Sequence, residues 1–226
     1  MGSYRLAPAV HMRASTKGAV LLDVQRDAFF GLDAQQAQAL SDLLARTEHA
    51  SLGDEMETLA QSLRTDGLIE PVLGGDLALP ENASELPDAR TELIPWHRMP
   101  TPSVRWHHVA SFFKAWWKAS HYVRDGRLAR AVEIAQMRTK QFDLPTARRL
   151  LSVYYHIRAF AFAKRSQCLL DSLTLLEFLA RYGQHPTWVI GVQIRPFASH
   201  SWLQYRHYVL NGTAAYVREY LPILEV

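Results

Sequence analysis

The stretch that decides the fold runs from Cys168-Leu169-Leu170-Asp171-Ser172-Leu173, through Val189-Ile190-Gly191-Val192, to Pro196-Phe197-Ala198-Ser199-His200-Ser201-Trp202. It holds the chain's single cysteine and, 32 residues later, a histidine. Between the two the hydrophobic period changes once. Leu169, Leu170, Leu173, Leu176 and Leu179 recur at helical spacing, and Gly183 closes that run. Thr187 to Arg195 then alternates, with Trp188, Ile190, Val192 and Ile194 on one face, which predicts a strand. A cysteine at a helix start lies beside unpaired N–H groups and the positive end of the helix dipole, and both favour a thiolate. A histidine on the next strand can take the thiol proton and later deliver it to a leaving amine. The pattern therefore nominates Cys168 as nucleophile, His200 as base and the Cys168 backbone N–H as the donor to a developing oxyanion.

Composition sets the bounds. A chain of 226 residues, 48% apolar, holds one large or two small domains. No apolar run reaches the length of a membrane span, and Met1-Gly2-Ser3-Tyr4-Arg5 lacks the apolar core of a signal peptide, so a cytoplasmic location without membrane contact is expected. One cysteine excludes an internal disulfide and suits a reducing compartment. The net charge of +3 is unevenly spread: −7 over residues 1–104, +10 over 105–165 and zero over 166–226. His97, His107, His108 and His121 match no metal-ligand spacing, so no metal site is expected.

Taken in order, Val10 to Ser15, Ala19 to Val24 and Ala28 to Leu32 read as strands. Asp33 caps a helix through Arg46, and a second helical region runs from about Gly53 to Thr65, with Gly67 ending it. Three short strands followed by helices is a winged-helix plan, usually a DNA-binding one. A duplex binder needs a basic face, and this part is acidic, so no nucleic-acid partner is expected. Residues 73–103, rich in proline, read as a linker between a domain at 1–72 and one at 104–226. Within the latter, Trp106, Val109, Phe112, Phe113, Trp116 and Trp117 form a broad aromatic face. Helices over Val123 to Met137 and Pro145 to Ala163 follow. The aromatic face is either a bulky core or a docking face for an acidic partner.

The words around Cys168 and His200, with Val189-Ile190-Gly191-Val192 between them, resemble the protease domain of lasso-peptide maturation B proteins, members of the transglutaminase-like cysteine-hydrolase superfamily. Likewise Asp27-Ala28-Phe29-Phe30-Gly31-Leu32-Asp33 and Leu63-Arg64 to Ile69 resemble the PqqD-like precursor-recognition domain. The resemblance implies an α+β chain: a small winged-helix, PqqD-like N-terminal domain, then a transglutaminase-like or papain-like cysteine hydrolase domain with a helical insert and an antiparallel sheet. It implies a cysteine peptidase that cuts the leader from a ribosomally made lasso-peptide precursor. Its partners would be that precursor and an asparagine-synthetase-like cyclase that spends ATP; the cysteine chemistry itself takes no cofactor. In such domains the leader adds as a strand to a sheet edge, here Ala28, Phe29, Phe30, Gly31 and Leu32, while a helix supplies an apolar pocket, here Met56, Leu59 and Leu63.

One position departs. The family carries an aspartate twelve residues after the histidine, and that position is Gly212. If Arg206-His207 is a two-residue turn, His200 faces Thr213 and Asn211 lies diagonally on the same face, able to accept the imidazole N–H. Trp202 shares the His200 strand face and is expected to shield the site or touch substrate, with packing in the core as the alternative. Two other functions remain open: a non-catalytic module that presents the precursor to the cyclase, and a Cys-His acyltransferase.

Overall fold

The computed structural model describes residues 3–45, 54–72, 86–124, 126–139, 141–161 and 167–226. The chain divides into two compact units, one of residues 1–84 with 192–198 and the other of residues 85–191 with 199–226.

In the first unit, strands β1 (Ser3–Leu6), β2 (Val10–Ser15), β3 (Gly18–Asp23) and β4 (Ala28–Leu32) precede helices α1 (Ala34–Ala45) and α2 (Asp54–Thr65) and strand β5 (Ile69–Val72). Strands β2, β3 and β4 form an antiparallel sheet in that order, with Leu21 opposite Met12 and Phe30. Because side chains alternate, Val10, Met12, Ala19 and Leu21 share one face, and the buried stripe of α1 (Ala37, Leu40, Leu43, Leu44) packs on it. Asp33 starts α1 as expected. Its Oδ1 accepts the Gln36 N–H at 2.8 Å and Gln36 Oε1 accepts the Asp33 N–H at 3.1 Å, a reciprocal cap worth about 1 kcal/mol. Gly67, at φ +69°, ends α2 while the Leu68 N–H returns to Leu63 O at 2.8 Å. The alternation reading passes over β1, which pairs antiparallel with β5 far along the chain, Arg5 Nε reaching Glu70 Oε1 at 2.6 Å.

In the second unit, α3 (Trp106–Arg124), α4 (Leu128–Gln136), α5 (Leu144–Ala161) and α6 (Cys168–Ala180) accompany a five-stranded sheet. Its order is β10 (Leu221–Glu225), β7 (Thr187–Gln193), β8 (Ala198–Tyr205), β9 (Tyr208–Val209), β6 (Thr91–Glu92). The sheet is mixed, because β6 runs parallel to β9. Helix α6 is its spine, buried continuously from Asp171 to Leu179. Glu177 on that helix binds Lys118 Nζ at 2.9 Å and Arg138 at 2.7 Å, so α3 and the end of α4 are tied to it.

Three expectations need correction here. The span 73–103 is not a plain linker over its described part: Thr91 and Glu92 extend the sheet, and Ala89, Leu93 and Ile94 are buried. Residues 73–85 lie outside the described residues. The helix expected over Val123 to Met137 is broken, since α3 continues to Arg124 and Gly126 turns the chain at φ +61°. The aromatic face of α3 is split: Phe112 is fully buried, whereas Trp106, Phe113 and Trp117 are exposed. No helix among the described residues is long and apolar enough to cross a membrane.

Candidate active site

Cys168 is the first residue of α6, half-buried, and its N-cap Gln167 makes no side-chain cap hydrogen bond. The first-turn N–H groups thus keep the orientation that favours a negative charge at the helix head. One turn along, Ser172 Oγ donates to Ser201 O at 2.8 Å. Ser201 adjoins His200, so this bond helps stitch the cysteine helix to the histidine strand. Ser201 Oγ in turn accepts the indole N–H of Trp188 at 2.8 Å.

His200, Trp202 and Gln204 alternate onto one face of β8. Trp202 Nε1 donates to Gln204 Oε1 at 3.0 Å, and the His200 and Trp202 rings stack with centroids 6.0 Å apart. Two tyrosines close round the imidazole, Tyr216 edge-on at 4.9 Å and Tyr220 at 5.3 Å. Among the described residues no hydrogen bond reaches its buried Nε2. Burial, the Tyr216 hydroxyl and, more weakly, the charges of Glu219 and Cys168 push the Tyr220 phenol up to about 12.

Asp171, three residues after Cys168, is buried. Its Oδ1 accepts from Tyr154 Oη at 2.8 Å and from Arg158 Nε at 2.6 Å. Burial pushes the His200 imidazole below its ordinary value, and the charge of Asp171 opposes that shift. The neutral ring is therefore expected to persist below pH ~6.5. Imidazole proton resonances present in the wild type and absent from His200→Gln would report it; a midpoint above ~6.5 would contradict the burial argument. This group's contribution to stability is complete above about pH 6.5 and is lost as pH falls toward the lowered folded value, because the unfolded chain binds the proton first.

The structure corrects the orienting role expected of Asn211. The turn at Arg206-His207 is present, with Gln204 facing Val209 and Tyr205 facing Tyr208, and Leu210 N–H still reaches Leu203 O. The ladder then ends. The Asn211 carboxamide takes its place, accepting the Leu203 N–H at 2.7 Å and donating to Ser172 Oγ at 2.9 Å. That side chain holds β8 to α6 and does not bind the imidazole. Gly212 turns at φ +141° and Thr213 caps α7 (Ala214–Val217), so Thr213 does not face His200.

Trp202 also differs from its expected contact with substrate. At 2% exposure it is a wall behind His200. Gly191 on β7 leaves room for it, since a Cβ there would stand 2.7 Å from two Trp202 ring atoms and 3.0 Å from Tyr220 Cβ. Gly191→Ala is therefore expected to cost about 1–3 kcal/mol, read as a lowered denaturation midpoint.

In the first unit, β4 is a terminal strand of its sheet. Phe30 and Leu32 of β4, with Met56 and Leu59 of α2, lie half-buried against the core, and Ala28, Phe29 and Gly31 complete the strand. Leu63 departs from its expected place in a peptide pocket: at 4% exposure it is core. Sequence reasoning missed Tyr216 and Tyr220. Their one available signal was an i, i+4 aromatic spacing just after the Asn211-Gly212 break. Among the described residues no group of three or more His, Cys, Asp or Glu side chains could hold a metal ion.

No curated protein and no solved structure matches the chain. Residues 115–225 match the family model of the transglutaminase-like superfamily, and they span the α6 start, β7, β8 and the tyrosine segment just described. That part of the chain is a transglutaminase-like superfamily domain.

Proposed function

We propose that the chain is a cytoplasmic cysteine peptidase that binds the leader of a ribosomally made lasso-peptide precursor and cuts it from the core. The observation that carries this reading is the bond from Ser172 Oγ to Ser201 O, which holds the helix headed by Cys168 against the strand bearing His200. His200 accepts the thiol proton and the sulfur attacks the scissile carbonyl, with the Cys168 N–H facing the developing oxyanion. The C–N bond breaks as His200 returns the proton to the leaving amine. Water, deprotonated by His200, then attacks the thioester; this releases a carboxylate and restores the thiol. None of these steps calls for a cofactor.

The terminal position of β4 supports leader addition along Ala28 to Leu32, beside Met56 and Leu59. Cleaved core would pass to an asparagine-synthetase-like cyclase, the ATP-consuming partner. Two observations favour a second reading, a module that only presents the precursor: Gly212 stands where the resemblance expects an aspartate, and His200 Nε2 has no hydrogen-bond partner among the described residues. The superfamily also includes acyltransferases.

Intact-mass analysis of a leader–core precursor incubated with the full chain separates the three. Two fragments whose masses together exceed that of the precursor by one water support the peptidase. An acyl fragment joined to another acceptor indicates transfer. An unchanged precursor sinks both enzymatic readings.

A further inference from the structure

The segment that lacks the aspartate carries something else to the imidazole. Strand β9 stops at Val209, Asn211 closes the ladder with its side chain, and the chain turns into the single turn of α7. Two bonds fix that turn. Thr213 Oγ1 accepts the Tyr216 N–H at 3.3 Å, and Glu92 Oε1, on β6, accepts the Ala214 N–H at 2.9 Å. Ala214 and Val217 face inward, which leaves Tyr216 on the other side of the turn. Tyr216 lies on α7 and Tyr220 four residues on, just past its end, their hydroxyls 2.8 Å from each other and their rings 5.3 Å apart. Both rings lie against His200, whose ring also stacks on Trp202.

We infer that Tyr216 and Tyr220 are positioning residues for His200, holding the ring by packing where the resemblance expects an aspartate to hold it by a hydrogen bond. This rests on the Cys168–His200 pair of the proposed function. The physical ground is that three aromatic neighbours at 4.9, 5.3 and 6.0 Å restrict the tilt of an imidazole. Edge-to-face contacts contribute energy as well as shape. The hydroxyl pair ties the two walls together, and the raised Tyr220 phenol stays protonated and keeps that tie through the neutral range. Glu92 enters at one remove, by holding the start of α7.

The chain has one cysteine, so its alkylation by iodoacetamide reports on a single atom and needs no substrate. The rate is measured against pH for the wild type, His200→Ala, Tyr216→Leu and Tyr216→Phe. Tyr216 is 44% exposed, so its variants can be made without opening the core. The expected result is a rate near pH 6 that falls at least about tenfold in Tyr216→Leu, since small misplacements of a catalytic group carry penalties of that size or larger. Tyr216→Phe, which keeps the ring and loses only the tie, returns to within about threefold of the wild type. In Tyr216→Leu the pH profile also moves toward that of His200→Ala. If His200→Ala reacts like the wild type at every pH, the catalytic pair itself is wrong and the inference falls with it. If His200→Ala is slow but Tyr216→Leu matches the wild type, the pair stands and the tyrosine role alone is overturned. If Tyr216→Phe is as slow as Tyr216→Leu, the hydroxyl and not the ring does the positioning, which also overturns it.

Discussion

Replacing Cys168 by alanine is expected to lower leader release by about six orders of magnitude, the scale on which removal of a covalent nucleophile acts. The fold should survive. Cys168 is half-buried at the first position of α6, and alanine is the best helix former. Binding of the precursor should survive too, because the proposed leader strand β4 and helix α2 belong to the other unit. Intact mass should therefore show uncut precursor, and co-purification should show it still held. Continued cleavage by the variant would mean that the thiol is not the nucleophile. If wild type and variant both bind and neither cuts, the presenting-module reading takes over. His200→Ala should fall to a similar level, since a nucleophile and its base act as a unit.

The second large effect concerns Asp171. Its carboxylate is almost enclosed and accepts from Arg158 Nε and Tyr154 Oη. Tyr154 is fully buried, its phenol pushed well above the ordinary value chiefly by that burial and next by the neighbouring Asp171 charge. Asp171→Asn keeps the shape and removes the charge. Arg158, whose side chain is 28% exposed, then sits beside a neutral amide, and losing one partner of such a part-buried charged hydrogen bond costs about 1–3 kcal/mol. The measurement is the midpoint of urea unfolding, with the slope unchanged. A loss under about 1 kcal/mol would show that Arg158 relaxes to solvent. The variant should also lower the His200 midpoint further, because Asp171 supplies the charge that opposes the effect of burial. That second shift separates an electrostatic role from loss of packing alone.

The elements that depend on local pattern were legible in the chain. The helix beginning at Cys168 and the strand from Thr187 are written in leucine spacing and in alternation, and β2 and β4 begin and end where the alternation does. The capping exchange of Asp33 and Gln36 is likewise a three-residue affair. Even the register of the Arg206-His207 turn follows from residue count once the turn is chosen. The failures share a cause. Strand β1 pairs with β5 across more than sixty residues, and β6 joins β9 across more than a hundred, and neither pairing leaves a local period. The fate of Asn211 turned on whether a ladder ran two residues further.

By itself, then, the sequence determined which two side chains stand as candidates for thiol chemistry and on what elements they ride, because helical and strand periods are properties of neighbouring residues. Only the tertiary structure decided which side chains surround the imidazole. Tyr216 and Tyr220 meet His200 from the turn of α7, whose N–H groups Glu92 and Thr213 hold, Glu92 standing on β6 where it docks on β9. Contacts between residues so far apart in the chain are set by the closing of the core and have no trace in local spacing.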